Sequence, residues 1–238
     1  MYLDVTEMRD FYDDPLGRIA ARLIRRKVRR IWPDALQLSV LGVGYAPPYL
    51  EKFRDDAERV LALMPARQGV VHWPRDGRNL AALSDELELP FMDASIDRIL
   101  LVHALEHTGE AHELLREVWR VLASGGRVLA VVPNRTGMWA KRELTPFGHG
   151  HPYSKGQLTR LLSDTMFSPL QWSTALHVPP SRWRVMQRLM ANLEPAGETW
   201  WRNFAGVHIV EAEKRIYAAR SKHQKRRFVA RPALIPSP

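Results

Sequence analysis

Beyond Pro33, short apolar runs alternate with stretches of helical periodicity, and this alternation constrains the chain more than any other feature of its 238 residues. A short apolar run bounded by helical segments reads as a strand buried on both faces, and the segments between are the crossovers that parallel strands require. Strands are predicted at 36–41, 59–63, 70–73, 96–102, 127–132, 170–175 and 207–217, with helices at 47–57, 79–83, 110–122 and 154–165. The helix at 110–122 is the clearest, because Ala111, Leu114, Leu115, Val118, Val121 and Leu122 share one face. An open α/β sheet with helices on both faces is the expected architecture.

Three segments flank or interrupt that pattern. Residues 1–33 form an N-terminal amphipathic helical segment: from Pro15 the apolar Leu16, Ile19, Ala20, Leu23, Ile24, Val28 and Ile31 recur at spacings of three and four, and Pro33 ends the helix. The main domain is placed at 34–218, with a helical insertion at about 179–204 in which Arg182, Trp183, Arg184, Arg188, Trp200 and Trp201 mix basic and aromatic character. Residues 219–238 carry Lys225, Arg226 and Arg227 without periodicity and are predicted to be disordered.

Composition narrows the function classes. The chain has no cysteine, which excludes disulfide frameworks, thiolate-bound zinc, iron–sulfur clusters and thiol nucleophiles. The longest apolar runs, near 99–104 and 128–132, are far shorter than the roughly 20 residues that span a bilayer. The first residues are acidic and lack an apolar signal core, so a cytoplasmic location is expected. The net charge of +9 resides at the ends: residues 1–30 carry +3, residues 214–238 carry +8, and the body between carries −2. Such ends are compatible with peripheral contact at an anionic membrane or with salt-dependent attraction to RNA, but no specific nucleic-acid motif is present.

The run SVLGVGYAPPYL places Gly42 and Gly44 where a strand meets a helix, a position at which missing side chains let backbone approach a ligand. Two further segments follow in fixed order, DELELPFMDASIDRILLVHALEHT at 85–108 and REVWRVLASGGRVLAVVPN at 116–134. Together the three resemble the class I S-adenosylmethionine (SAM) dependent methyltransferases, in particular the group containing the ubiquinone and menaquinone biosynthesis C-methyltransferases. The resemblance spans 36–175. It implies a Rossmann-like, mostly parallel seven-stranded sheet, SAM as cofactor and a small-molecule methyl acceptor.

Carried onto this sequence, the resemblance assigns Gly42, Gly44 and Tyr45 to the methionine part of the cofactor and Asp85 with Glu86 to the adenine edge. It sets Met64 at the end of the second strand and Val102 beside the sulfonium. Asn134, Arg135 and Trp139 would face the acceptor, with Arg135 suited to an anionic one, while Tyr12 and Tyr153 would cap the pocket. The chain departs from the family at three points: Val40 stands two positions before the first glycine where an acid is usual, Ala46 replaces a third glycine, and Leu63, Met64 and Pro65 replace the ribose-binding carboxylate.

Methyl transfer is an in-line displacement in which alignment supplies most of the rate, and a base is needed only for acceptors such as phenols or acidic carbons. His103 and His107 after the fourth strand, and His149 and His151 after the fifth, are the candidate proton acceptors. His149 and His151 show no third ligand at a metal-binding spacing, and no metal is expected. Two readings from other classes stay open: a non-catalytic descendant that keeps the fold as a binding or regulatory module, and an RNA- or membrane-surface protein targeted by its basic ends.

Overall fold

The structure is a computed structural model that describes residues 2–181, 194 and 204–215. Its centre is a seven-stranded sheet in the order β3-β2-β1-β4-β5-β7-β6, built from β1 (Ser39–Gly44), β2 (Arg59–Pro65), β3 (Ala81–Ser84), β4 (Ile96–Val102), β5 (Leu122–Pro133), β6 (Phe167–Ala175) and β7 (Val207–Lys214). The first five strands are mutually parallel, and β7 runs antiparallel between β5 and β6. The period of two along each strand divides the core into two layers. Val40, Leu100, Val102, Leu129 and Val131 point into one, and Leu41, Val43, Ile99, Leu101, Val128 and Ala130 point into the other.

Helices cover both faces. The first layer is closed by α1 (Val5–Asp13), α2 (Pro15–Ile31) and α3 (Pro47–Leu50), and the second by α4 (Ala111–Val121) and α5 (Lys155–Asp164). Asp4 caps α1 by accepting from the Thr6 amide at 2.7 Å, and Asp14 both ends α1 and caps α2, accepting from the Leu16 amide at 3.1 Å with Pro15 just inside the helix. The corner between them is tight: a Cβ on Gly17 would lie 1.9 Å from the Phe11 carbonyl oxygen. Val5, Met8 and Tyr12 on α1 are buried. At roughly 1.5–3 kcal/mol per buried large apolar side chain, this is enough to hold a nine-residue helix that would not persist alone.

The apolar stripe of α2 faces the core as expected, but its basic face is only partly a solvated one. Arg25 donates to the Pro48 carbonyl at 2.9 Å, Arg29 pairs with Asp56 at 3.4 Å and stacks on Phe53, and Lys27 is buried. Among the described residues no helix is long and apolar enough to cross a membrane.

Four sequence expectations are corrected. The first strand starts at Ser39 and runs to Gly44, because Gln37 turns the chain through a φ of 57° and leaves Leu36 in an isolated bridge to Ala57. Residues 70–73 form no strand; Val70 is exposed, and Trp73 is buried with the Arg54 guanidinium over its ring. The helix expected at 79–83 is instead the edge strand β3, paired in parallel with β2. The helix expected at 47–57 stops at Leu50 and continues as a 3-10 turn over Glu51–Phe53. Most of the insertion, the end of the strand expected at 207–217 including Tyr217, and the whole basic tail lie outside the described residues.

On β7, burial together with the charge of Lys155 pushes the His208 imidazole down from 6.5 to about 4, and its Nε2 meets no hydrogen-bond partner. The unfolded chain then binds the proton first, so this contribution to stability is complete above pH 6.5 and is lost as the pH falls towards 4, by up to about 3 kcal/mol. Urea unfolding of His208→Leu at pH 7 and pH 4.5 is predicted to show a smaller acid loss than the parent chain. Equal losses in the two proteins would contradict the assignment.

Candidate functional site

The strand order reverses between β1 and β4, and the crevice beyond the carboxyl ends of two such strands is where open α/β sheets bind ligands. Gly44 sits opposite Val102 there with a φ of +84°, and a Cβ on it would lie 2.2 Å from the Val102 carbonyl oxygen. A Cβ on Gly42 would lie 2.6 Å from both the Ala46 Cβ and the Leu50 Cδ1. Both glycines are thus required by chain-to-chain contacts before any ligand is considered: one brings the ends of β1 and β4 together, and the other seats α3 on β1.

Immediately after β4 the backbone of His103 adopts a φ of +52°, a strained conformation for a residue with a side chain. It aims the imidazole into a buried chain of polar groups. The Tyr49 and Tyr12 hydroxyls are 2.8 Å apart, Tyr12 Oη is 2.8 Å from His103 Nε2, and His103 Nδ1 is 3.1 Å from Glu106 Oε1. Burial pushes the Glu106 carboxyl up, but the His103 hydrogen bond and the neighbouring His103 and His107 imidazoles more than offset it and hold the group below the usual carboxylate range. An ionised carboxylate only accepts, so Nδ1–H donates to Glu106; in the neutral imidazole Nε2 then accepts from Tyr12, whose oxygen accepts from Tyr49. Burial, with Tyr49 beside it, keeps the Tyr12 phenol well above its ordinary pKa and therefore protonated.

Aromatic rings enclose this chain. Tyr45 stacks on Tyr12 at 5.4 Å and 12°, Phe147 lies 4.8 Å from His103, and His107 is buried 6.1 Å from His103. The start of the chain crosses the same edge. The Tyr2 hydroxyl donates to the Glu86 carboxylate, the Tyr2 ring lies 5.8 Å from His107, and the Val5 amide donates to the Gln68 carbonyl at 2.9 Å. The Gln68 side-chain amide, just past the end of β2, is buried with neither its nitrogen nor its oxygen hydrogen-bonded. Beside it in sequence, Ala66 and Arg67 join Asp85, Glu86, Leu87 and Thr108 around a hollow of 110 Å³.

The structure brings Tyr12, Gly44, Tyr45, Val102, His103 and His107 of the sequence candidates to one place. Met64 is fully buried in the core layer under α1, and Asp85 is exposed, its carboxylate accepting from the Leu87 amide at 2.9 Å. His149 is tied to the Glu143 carbonyl at 2.9 Å, and the exposed His151 contributes its backbone amide to the Glu106 carbonyl at 2.7 Å. Asn134 donates to the Ala205 carbonyl and accepts from Thr136, which joins the end of β5 to the approach to β7. Trp139 is fully buried and donates to the Val178 carbonyl at 2.8 Å. Arg135 and Tyr153 line a separate groove of 870 Å³ between α4 and α5, together with His112, His151 and Arg160; the Tyr153 hydroxyl donates to the Leu105 carbonyl at 3.2 Å.

Sequence reasoning missed Tyr2, Tyr49, Gln68, Glu106 and Phe147. Glu106 was findable as the acid between two candidate histidines in HALEH, and Tyr49 lies one helical turn after Tyr45. Gln68 carries no local signal.

The strand order, the antiparallel β7 and the glycine-bearing end of β1 define the fold of the class I SAM-dependent methyltransferases. Residues 32–130 match the family model described as a methyltransferase domain. A "probable S-adenosylmethionine-dependent methyltransferase" of Mycolicibacterium smegmatis is 32% identical over 132 residues, covering 53% of this chain and 49% of that protein. One from Mycobacterium tuberculosis is 32% identical over 161 residues, covering 65% and 57%. The chain therefore spans about half the length of the curated relatives it matches. A SAM-dependent methyltransferase from Thermotoga maritima superposes with a TM-score of 0.61 at 14% identity over 89% of this chain and 96% of that one, a likeness of fold. These comparisons show the fold and a methyltransferase-domain match over residues 32–130, and none of them is specific to the ubiquinone and menaquinone group.

Gly44 is excluded from carrying a side chain by both φ and contact, so Gly44→Ala is predicted to cost about 3 kcal/mol or more in urea unfolding. A loss below about 0.5 kcal/mol would show that the β1 and β4 ends are not held this closely.

Proposed function

We propose that the chain is a SAM-dependent methyltransferase acting on a small molecule in the cytoplasm, with its cofactor at the β1–β4 edge. The observation that carries this reading is the meeting, at the point where the strand order reverses, of the Gly44 turn with the strained His103 and its buried partners. The donor set suits the cofactor. Glu86 with Asp85 offers acceptors for an exocyclic amine, and the orphaned Gln68 amide offers one donor group and one acceptor to ribose hydroxyls in place of the carboxylate that Leu63, Met64 and Pro65 lack. Backbone from Gly42 to Tyr45 and the wall at Val102 complete it.

The cofactor supplies an electrophilic methyl group on a sulfonium, and everything else is the work of the chain. Tyr12, Tyr45 and Phe147 exclude water from the end of β4, and the Tyr49–Tyr12–His103–Glu106 chain fixes the wall against which an acceptor is aligned. Proton removal falls to the cluster of His103, Glu106 and His107 rather than to His149, which is tied to Glu143, or His151, whose side chain is exposed. Asn134 and Trp139 act by anchoring the β5 end of the site, while Arg135 and Tyr153 serve the outer groove.

One observation favours the non-catalytic reading instead. The hollow at Asp85 and Glu86 is smaller than the roughly 300 Å³ at which small-molecule pockets begin, and Tyr2 already occupies Glu86. On the enzyme reading Tyr2 is displaced by adenine, so removing its hydroxyl removes a competitor. Calorimetric titration with S-adenosylhomocysteine is predicted to give micromolar binding, tightened roughly 2- to 10-fold in Tyr2→Phe. Absence of binding up to millimolar ligand in both proteins would sink the methyltransferase reading and leave the binding module.

A further inference from the structure

We infer that His103, Glu106 and His107 form a binding site for a divalent transition-metal ion, in the sequence His103-Ala104-Leu105-Glu106-His107 directly after β4. One ligand atom from each of the three lies within 4.8 Å of the other two, and all three side chains are buried. Ligands around an ion at about 2.1 Å stand about 3.0–3.4 Å apart. The 3.1 Å separation of His103 Nδ1 and Glu106 Oε1 already meets that spacing. Closing the rest asks for a movement of about 1.5 Å, the scale of a side-chain torsion adjustment.

Charge and hydrogen bonding support the same occupant. Glu106 is 1% exposed, and among the described residues neither lysine nor arginine pairs with it. Its Oε2 is buried and makes no hydrogen bond. A buried carboxylate requires a compensating cation, and an ion between it and two imidazoles supplies one while using the orphaned oxygen. With the ion in place of the Nδ1 proton, His103 would carry its proton on Nε2 and donate it to the Tyr12 oxygen, with the Tyr12 hydroxyl turned to Tyr49, the kind of outer contact that orients a metal-bound imidazole. Two imidazoles and one carboxylate suit the zinc, cobalt, iron(II) and manganese class better than magnesium or calcium, which prefer all-oxygen sites. The Tyr2 ring over His107 places the ion's entry beneath the N-terminal segment.

Ion binding itself does not rest on the methyl-transfer reading. One consequence does: an ion here would acidify an acceptor hydroxyl bound to it, so that the cluster assists deprotonation as an ion site rather than as free imidazole.

The test is titration of the full chain, stripped with chelator, with Co²⁺ and then Zn²⁺. The expected result is one equivalent of Co²⁺ with visible d–d absorption, displaced by Zn²⁺, and binding weakened roughly 100-fold in Glu106→Gln and in His107→Ala. His72→Ala, at an exposed histidine outside the cluster, is expected to bind as the parent does. No bound equivalent, or equal affinity in the parent, Glu106→Gln and His107→Ala, overturns the site and marks the ion as adventitious. If those two variants fail to fold, the melting temperature of the parent decides: Zn²⁺ raises it on this account, and no rise overturns it. A chain that binds Co²⁺ but not S-adenosylhomocysteine sinks methyl transfer alone; one that binds S-adenosylhomocysteine but not Co²⁺ sinks the ion site alone.

Discussion

A carboxylate held away from water at the end of β4 governs the arrangement of the whole carboxyl edge. Glu106 is ionised in a place where burial alone would neutralise it, and the groups that keep it so are His103 and His107. His103, held at a backbone φ of +52°, meets Glu106 through Nδ1 and the Tyr12 hydroxyl through Nε2. Tyr12 is delivered by α1, so the short N-terminal helix is held to the sheet by polar contact as well as by Val5 and Met8. Gly44 completes the arrangement by letting the end of β1 lie against Val102 and His103 without a side chain between them.

The same contacts determine what the edge can do. With Tyr45 stacked on Tyr12 and Tyr2 hydrogen-bonded to Glu86, the N-terminal segment lies across the crevice, and Gln68 is left beneath it with an unused amide. An unsatisfied buried amide costs free energy that a bound partner would recover. On the proposed reading, these donors and acceptors serve a nucleoside, and its entry would require the first residues to move. Of the two arginines that turn inward on α2, Arg25 secures α3 and Arg29 the segment after it at Phe53 and Asp56, a structural use of charge within a helix whose remaining arginines face solvent.

Much of this was legible in the sequence where periodicity was strong. β4 at Ile96–Val102 and α2 at Pro15–Ile31 coincide with their predicted ranges, and α4 and α5 differ by one residue at each end, because their apolar patterns repeat over two turns or more. Short elements failed for lack of pattern. The four residues of β3 alternate too briefly to separate strand from helix, and Val70–Trp73 has strand-like composition but turns back at Trp73, whose carbonyl accepts from the Leu80 amide at 2.6 Å, instead of joining a ladder. Of the residues now at this edge, His103, His107, Tyr12 and Tyr45 were singled out in the sequence, whereas Glu106 and Gln68 were not. Their importance comes from burial, which depends on α1 folding across an edge that local sequence does not specify. Trp139 and Asn134, expected to face an acceptor, are instead anchors, because the carbonyls of Val178 and Ala205 reach them from distant parts of the chain.

The central claim, that ligand binds at the β1–β4 edge beneath the N-terminal segment, is tested most directly by hydrogen–deuterium exchange with and without S-adenosylhomocysteine. The account predicts that exchange changes in residues 2–13, 42–46, 66–69, 85–89 and 102–108, while the α4–α5 groove around Arg135 and Arg160 stays as it was. A change confined to that groove, or no change anywhere, would contradict it.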